Sequence, residues 1–191
     1  LSLWGGVSSR RFAIGIQAAT LYSRTGNNPG DAFVWYKGGI HDGNARNPGG
    51  GQTLMTLDGE NGLFVTGSAS VSTLAIRGGA DLAEPFEFSA SDIAKGSVVV
   101  IDPENAGKLK LSHQSYDQRV AGVVSGANGL STGAILGNLP GHEDAPPIAL
   151  SGRVWVHSDS SNGPIEPGDL LTTSATPGHA MKVSDYPRAQ G

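Results

Sequence analysis

The chain has 191 residues, a net charge of −4 and no cysteine, and charged residues make up only 16% of it. The lack of cysteine excludes disulfides and thiolate metal sites, and the sparse, scattered basic residues argue against a groove for nucleic acid. Glycine accounts for 29 residues but does not recur at every third position, which excludes collagen.

The longest apolar stretches, residues 97–101 and 120–124, are far shorter than the roughly 20 residues that a membrane helix needs. We therefore expect no membrane insertion. Because the chain begins with Leu1 rather than Met, we also expect a processed or truncated piece of a longer product.

Short apolar runs, separated by Asn-Gly and Pro-Gly turn signals, recur along the chain without the 3.6-residue period of an amphipathic helix. This pattern predicts an all-β fold of short-strand modules that resemble sandwiches or barrels. The predicted strands cover residues 12–18, 32–36, 52–57, 63–76, 97–101, 108–112, 119–125, 148–157, 169–173 and 180–183.

Aromatic residues are concentrated before Leu57, which predicts an N-terminal β domain over residues 1–56. Within it Trp35, Tyr36 and His41 are candidate ligand-binding residues, since flat aromatic rings stack on the apolar faces of sugars. The alternative is that alternation along residues 33–36 buries one pair of side chains in a core and leaves the other half exposed.

The loop at residues 38–51 contains six glycines and no strand pattern. It is either a mobile tip or a packed irregular loop, and we expect it at the surface.

Residues 63–71 place apolar residues or Gly at every odd position, while Thr66, Ser68 and Ser70 occupy even ones. This period of two predicts a strand with one sealed face and one wet face. Strands of such small residues have little bulk for a core of their own, so we expect several chains to wrap together here. The sequence thus predicts an intertwined trimeric β-fibre segment at residues 57–79.

Residues 80–191 are richer in Val, Leu and Pro, which predicts a C-terminal β module. It contains an internal echo, because residues 93–100 resemble residues 165–172: Ile, then Gly three positions later, then a strand. If the echo is a repeat, the module lacks its last strand, and another segment or chain must cover the open edge. The alternative is coincidence between two ordinary turn-and-strand units.

An acidic cluster of Asp81, Glu84 and Glu87 opens this module. Pro85 disfavours a helix, but an extended or turned chain, or neighbouring subunits, would still bring the three carboxylates together. Crowded carboxylates raise one another's pKa and provide an acid beside a base, which suits attack on a peptide bond. The alternative is a solvated turn.

Three segments, residues 78–87, 95–102 and 116–125, together resemble the self-cleaving C-terminal domain of phage neck-appendage and tailspike proteins. The resemblance rests on the Asp-x-x-Glu-x-x-Glu opening, the strand after a Gly turn and the Gly-x-Val-Ser strand. It implies a position at the end of a trimeric β fibre, with Asp81 and Glu84 as catalytic carboxylates, Glu87 in support and Ala80–Asp81 as the cleaved bond.

Other constellations are weaker. His157 and Asp159 lack the further ligands that a zinc site needs. The residue types of a nucleophile triad occur close together at Ser112, His113, Ser115 and Asp117. Triads, however, assemble in space rather than from neighbours in sequence. We expect no cofactor and no metal.

The sequence therefore predicts a structural, adhesive subunit of an extracellular, cell-surface or virion fibre, with itself as partner in a homotrimer or higher polymer. Where it binds a receptor, a cell-surface glycan is the expected ligand. The alternatives are a self-cleaving maturation module, a sugar-binding module and a subunit of an open filament.

Overall fold

The computed structural model of the chain describes residues 2–7, 10–41, 43–137, 142 and 144–189, and side chains from Ile14 onward except Gln17. The described chain is all-β, with two short 3₁₀ segments, so the predicted all-β class is confirmed. It divides into two compact units, an N-terminal unit of residues 1–73 and a C-terminal unit of residues 74–191.

The N-terminal unit consists of two antiparallel three-stranded meanders. The first contains β1, β2 and β3 and the second contains β4, β5 and β6, each in sequence order. The strands are β1 (Ser2–Val7), β2 (Arg10–Gln17), β3 (Thr20–Arg24), β4 (Ala32–Lys37), β5 (Gln52–Asp58) and β6 (Gly62–Val65).

The strand predicted over residues 63–76 is wrong in length. Only β6 is a strand, and it pairs with β5, so that Leu57 faces Leu63. Residues 66–78 form no strand within the described chain. The alternation is present in the sequence, but an extended segment becomes a strand only where a partner supplies hydrogen bonds. The first residues of the predicted 57–79 segment therefore belong to the sheet of the N-terminal unit.

The C-terminal unit is built on a six-stranded sheet in the order β11-β7-β12-β10-β8-β9, beside a two-stranded sheet of β13 and β14. All neighbours are antiparallel except β11 and β7. The strands are β7 (Asp81–Pro85), β8 (Val98–Ile101), β9 (Leu109–Leu111), β10 (Val120–Val124), β11 (Ala134–Ile135), β12 (Pro147–Gly152), β13 (Leu171–Thr173) and β14 (Ala180–Lys182).

One hydrophobic cluster of this unit lies on one face of the six-stranded sheet. Val99, Leu109, Val124 and Ile148 are buried together, and Phe86 packs against them among others. Val98 and Val100, which point to the other face of β8, are buried as well, and such a continuous apolar run is typical of a strand covered on both faces. The strand predicted over 148–157 ends earlier, at Gly152.

The internal echo is confirmed as a structural repeat. β8 and β9 form one hairpin, and β13 and β14 form the second, whose loop is one residue shorter. In the first hairpin Leu109 donates its N–H to the carbonyl of Glu87 over 2.9 Å, and in the second Ala180 donates to His157 over 2.8 Å. The carbonyl of Leu109 accepts a hydrogen bond from the N–H of Ser89, and the carbonyl of Ala180 accepts one from the N–H of Asp159, each over 2.9 Å.

The two hairpins differ at their other edges. β10 pairs with the outer edge of β8, whereas within the described residues no strand pairs with the outer edge of β13. The expectation that the module lacks its last strand stays a prediction.

Candidate functional site

Asp81 is the buried member of the predicted acidic cluster. It is 7% exposed at the start of β7, between β11 and β12. Its Oδ2 accepts a hydrogen bond from Ser125 Oγ (2.5 Å), and its Oδ1 accepts one from the N–H of Gly133 (2.8 Å). Ser125 Oγ also lies 2.8 Å from Thr132 Oγ1. A buried carboxylate needs such donors, and here the residues just after β10 and just before β11 supply them.

The peptide bond between Ala80 and Asp81 is enclosed by backbone. The Ala80 carbonyl accepts a hydrogen bond from the N–H of Arg153 over 2.9 Å. A Cβ at Gly152, whose φ is +105°, would lie 2.4 Å from that carbonyl oxygen, and one at Gly133 would lie 2.5 Å from the carbonyl oxygen of Asp81. Glycine is required at both positions because the neighbouring backbone occupies the space of a side chain. The bond is therefore held rigidly, with an N–H directed at its carbonyl.

The three acidic residues do not converge within one chain. Asp81 and Ala83 are buried on β7, while Leu82 is exposed, so the period of two places Glu84 on the face opposite Asp81. Glu87 lies beyond the strand, 3.2 Å from Lys108 Nζ and 3.1 Å from His142 Nδ1.

The expected raising of pKa by crowded carboxylates is wrong for Glu87. The pKa of Glu87 lies below its ordinary value, first because Lys108 donates a hydrogen bond to it and attracts its charge. Asp81 and Glu84 are three residues apart on an extended strand. Their carboxylates therefore lie on opposite faces of the sheet and do not crowd each other inside one chain.

The other sequence candidates do not form a catalytic group. The Asp117 carboxylate accepts hydrogen bonds from Arg119 Nε (2.9 Å) and Nη2 (2.8 Å), which lower its pKa. Ser112 is fully buried, and its Oγ has no hydrogen-bond partner among the described residues, so the predicted triad does not form. His157 packs against His179 with ring centroids 5.4 Å apart. Within the described residues, no three His, Asp or Glu side chains are grouped to hold a metal.

Two of the three predicted ligand residues meet at one cavity. Tyr36 and His41 line a cavity of about 340 Å³ in the N-terminal unit, whereas Trp35 does not. Trp35 lies on the other face of β4, where its ring centroid is 6.5 Å from that of Phe33. Trp35 is 45% exposed and Tyr36 39% exposed. The alternation is confirmed, but the expectation that one of the pairs is core is wrong.

Sequence reasoning missed the polar side of this cavity, which Asp31, Asn44, Arg46 and Asn47 provide. These residues reach it because the glycine loop folds back on itself. The only available signal was the repeated glycine at the two ends of that loop.

A second concavity, of about 280 Å³, lies in the C-terminal unit and was not predicted either. It is mostly apolar, with Val120, Val154 and Leu171 among its lining residues and Tyr116 at one side. The Tyr116 hydroxyl is occupied, since it accepts bonds from the N–H groups of residues 184 and 185. We see no catalytic arrangement there.

No helix in the described part of the chain has both the length and the apolar character needed to cross a membrane. Comparison with protein-family models, with curated proteins and with solved structures finds no match to this chain.

Proposed function

We propose that this chain is a structural and adhesive subunit of a homotrimeric fibre, of the phage-tail or cell-surface kind, that functions outside the cell or in a virion. One observation carries the proposal. From residue 14 to residue 73, none of the described apolar residues is buried. A folded domain of about 60 residues buries about 60% of the surface that its unfolded chain exposes, and even then it is only marginally stable. The apolar side chains of this unit therefore need partner surfaces.

Large apolar side chains are exposed on both sheets of the N-terminal unit. Ile16 is 83% exposed and Leu21 is 76% exposed on the first sheet, and Leu63 and Phe64 are each more than 60% exposed on the second. Exposed apolar patches of this kind mark interaction surfaces. Identical copies around a symmetry axis would bury the same residues of every chain.

The segment after β6 supports the same conclusion. Val71, Leu74 and Ile76 are each more than half exposed, and small hydroxylated residues stand between them. Small residues permit close approach of several chains around a narrow axis. An interior shared by several chains would bury these apolar residues, which no strand of the same described chain covers.

Native mass spectrometry and analytical ultracentrifugation test the proposal. We expect a particle of about three times the 19.5 kDa chain mass, unchanged on dilution over the micromolar range. A monomer would refute it. Electron microscopy distinguishes the filament alternative, because an open polymer has variable length and a closed trimer has one size.

Self-cleavage is a second candidate function, favoured by the hydrogen bond between the Arg153 N–H and the Ala80 carbonyl. This N–H would stabilise the negative charge on the oxygen under attack if it keeps its contact as the carbon becomes tetrahedral. Water would add to the Ala80 carbonyl carbon, the C–N bond would break, and Asp81 would leave with a new α-amino group.

Mass spectrometry of the purified chain tests this function. Wild type should yield two fragments, residues 1–80 and 81–191, while Asp81→Asn and Glu84→Gln should remain intact. Glu104→Gln, at an exposed carboxylate in the same unit, is the control and should cleave as wild type does. Uncleaved, full-length masses for all four proteins would end the idea.

A further inference from the structure

The cavity at Tyr36 is formed by a closed loop rather than by an open surface. The loop between β4 and β5 returns on itself, and Ile40 donates its N–H to the carbonyl of Gly49 over 3.0 Å. A Cβ at Gly49 would lie 1.7 Å from the Ile40 carbonyl oxygen, and one at Gly39 would lie 1.8 Å from that of Pro48. Both glycines also have positive φ. The glycine loop is thus packed, and the cavity exists without a ligand.

Arg46 is fixed at the wall of this cavity. Its Nε donates to the Gly30 carbonyl over 2.8 Å, and its Nη1 lies 3.1 Å from Asp58 Oδ2. These contacts hold the guanidinium in place, so this part of the wall is formed before a ligand arrives.

Two carboxylates, Asp58 and Asp31, accompany the Arg46 guanidinium at the cavity. Asp58 is ionised, since the Asn61 N–H donates to it and holds its pKa below the ordinary value, and it neutralises the Arg46 guanidinium. Asp31 adds a carboxylate at the lining, whose Oδ2 accepts two hydrogen bonds from Asn28; its Oδ1 remains as an acceptor. A phosphate or an acidic sugar would meet this carboxylate unfavourably.

The other lining residues include one aromatic ring and two side-chain amides. Tyr36 lines the cavity with a ring that is partly open to solvent, and Asn44 and Asn47 lie opposite on the loop. A sugar ring has the matching chemistry, with apolar C–H faces for an aromatic ring and hydroxyls that both donate and accept. A volume of about 340 Å³ is at the lower end of small-molecule sites and suits one pyranose ring.

We propose that the cavity lined by Tyr36, His41, Arg46 and Asp31 binds one residue of a neutral saccharide. The Tyr36 ring stacks on a pyranose face, and Asp31 Oδ1 accepts from a hydroxyl. This names the receptor class of the proposed fibre and rests on that function for its biological role. The cavity lies wholly within one chain, so binding itself does not depend on the trimer.

Ligand-observed saturation-transfer NMR on the full chain tests the site, with the methyl glycosides of glucose, galactose, mannose and N-acetylglucosamine as probes. Glucuronic acid serves as the charged comparison. We expect at least one neutral sugar to bind with a dissociation constant on the order of millimolar. Tyr36→Ala should weaken this binding at least tenfold, and Asp31→Asn should weaken it severalfold.

Trp35→Ala is the matched control, because Trp35 has a similar exposure on the same strand but faces away from the cavity. It should bind as wild type does. No saturation transfer from any neutral sugar up to about 50 mM would overturn the proposal, and so would equal loss in the Trp35 and Tyr36 variants or a preference for glucuronic acid. Native mass is recorded for each protein, so that sugar binding by a monomer refutes the trimer alone.

Discussion

The hydroxyl of Ser89 donates a hydrogen bond to the carboxylate of Asp102, and the second repeat of the C-terminal unit makes the same contact with the two residue types exchanged. There Ser174 occupies the position after the hairpin strand and donates to Asp159. In both repeats the pair ties the hairpin loop to the segment beside it. The contact is thus retained although the donor and the acceptor have changed sides.

Removing the Ser89 hydroxyl should make the unit less stable at neutral pH and less sensitive to acid. The pKa of Asp102 lies well below its ordinary value of 3.8, first because of the Ser89 hydrogen bond and then because of Asn105 and the Glu104 N–H. A lowered native pKa stabilises the fold above the unfolded-state pKa of about 3.9, and this contribution is lost as pH falls towards the native value.

Urea unfolding between pH 7 and pH 2 measures this effect. The difference in stability between wild type and Ser89→Ala should be largest at pH 6–7 and should shrink below about pH 4. Ser91→Ala, at an exposed serine two residues away, is the control and should show no such trend. A difference that stays constant across pH would contradict the role given to the hydrogen bond.

Exchanging the residue types of the second pair should restore much of what either single change removes. Asp159→Ser leaves two hydroxyls, and Ser174→Asp places two carboxylates together. Each single variant therefore loses the hydrogen bond between hydroxyl and carboxylate. The double variant recreates the arrangement of the first repeat. We expect a coupling free energy of about 0.5–3 kcal/mol in a double-mutant cycle from chemical unfolding. Strict additivity would show that the two positions do not interact.

Most of the fold follows from the sequence, because the period of two and the glycine turns act locally. The strands at β4, β5, β8 and β10 were predicted within two residues of their observed bounds. β7 was not predicted, since Asp81 and Pro85 are typical of turns and only pairing with β11 and β12 makes that segment a strand. For residues 66–76 the error was the opposite one, because a strand was predicted and none is present. Their pattern is that of a strand, but the described chain offers it no partner strand.

The candidate sites were predictable only in part. Tyr36 and His41 were identified by residue type, and Asp81 by its motif. Arg46 and Ser125 were not, because each reaches its site through contacts between residues distant in sequence. Arg46 depends on closure of the glycine loop, and Ser125 depends on β10 lying in the same sheet as β7.

Ile148→Ala should destabilise the C-terminal unit and leave the N-terminal unit unaffected. Ile148 is fully buried on β12 within the core, and truncating such a side chain costs about 2–5 kcal/mol. Calorimetry should show one of two transitions moving to lower temperature. Leu150→Ala, on the same strand but 45% exposed, should move it much less. A single transition that shifts as a whole would show that the two units unfold together.

A charge placed on the apolar side of the segment after β6 should dissociate the proposed trimer. Val71 is 63% exposed in the single chain, and in an extended ribbon it faces opposite to its neighbour Ser70. If Val71 lies in a shared interior, Val71→Asp buries three unpaired carboxylates around one axis, which costs several kcal/mol for each charge. Ser70→Asp places the same charge on the wet face and should leave the trimer intact. Native mass spectrometry distinguishes the two variants. A trimer that survives Val71→Asp would move the association to the sheets of the N-terminal unit, where Ile16 and Phe64 would be the next residues to change.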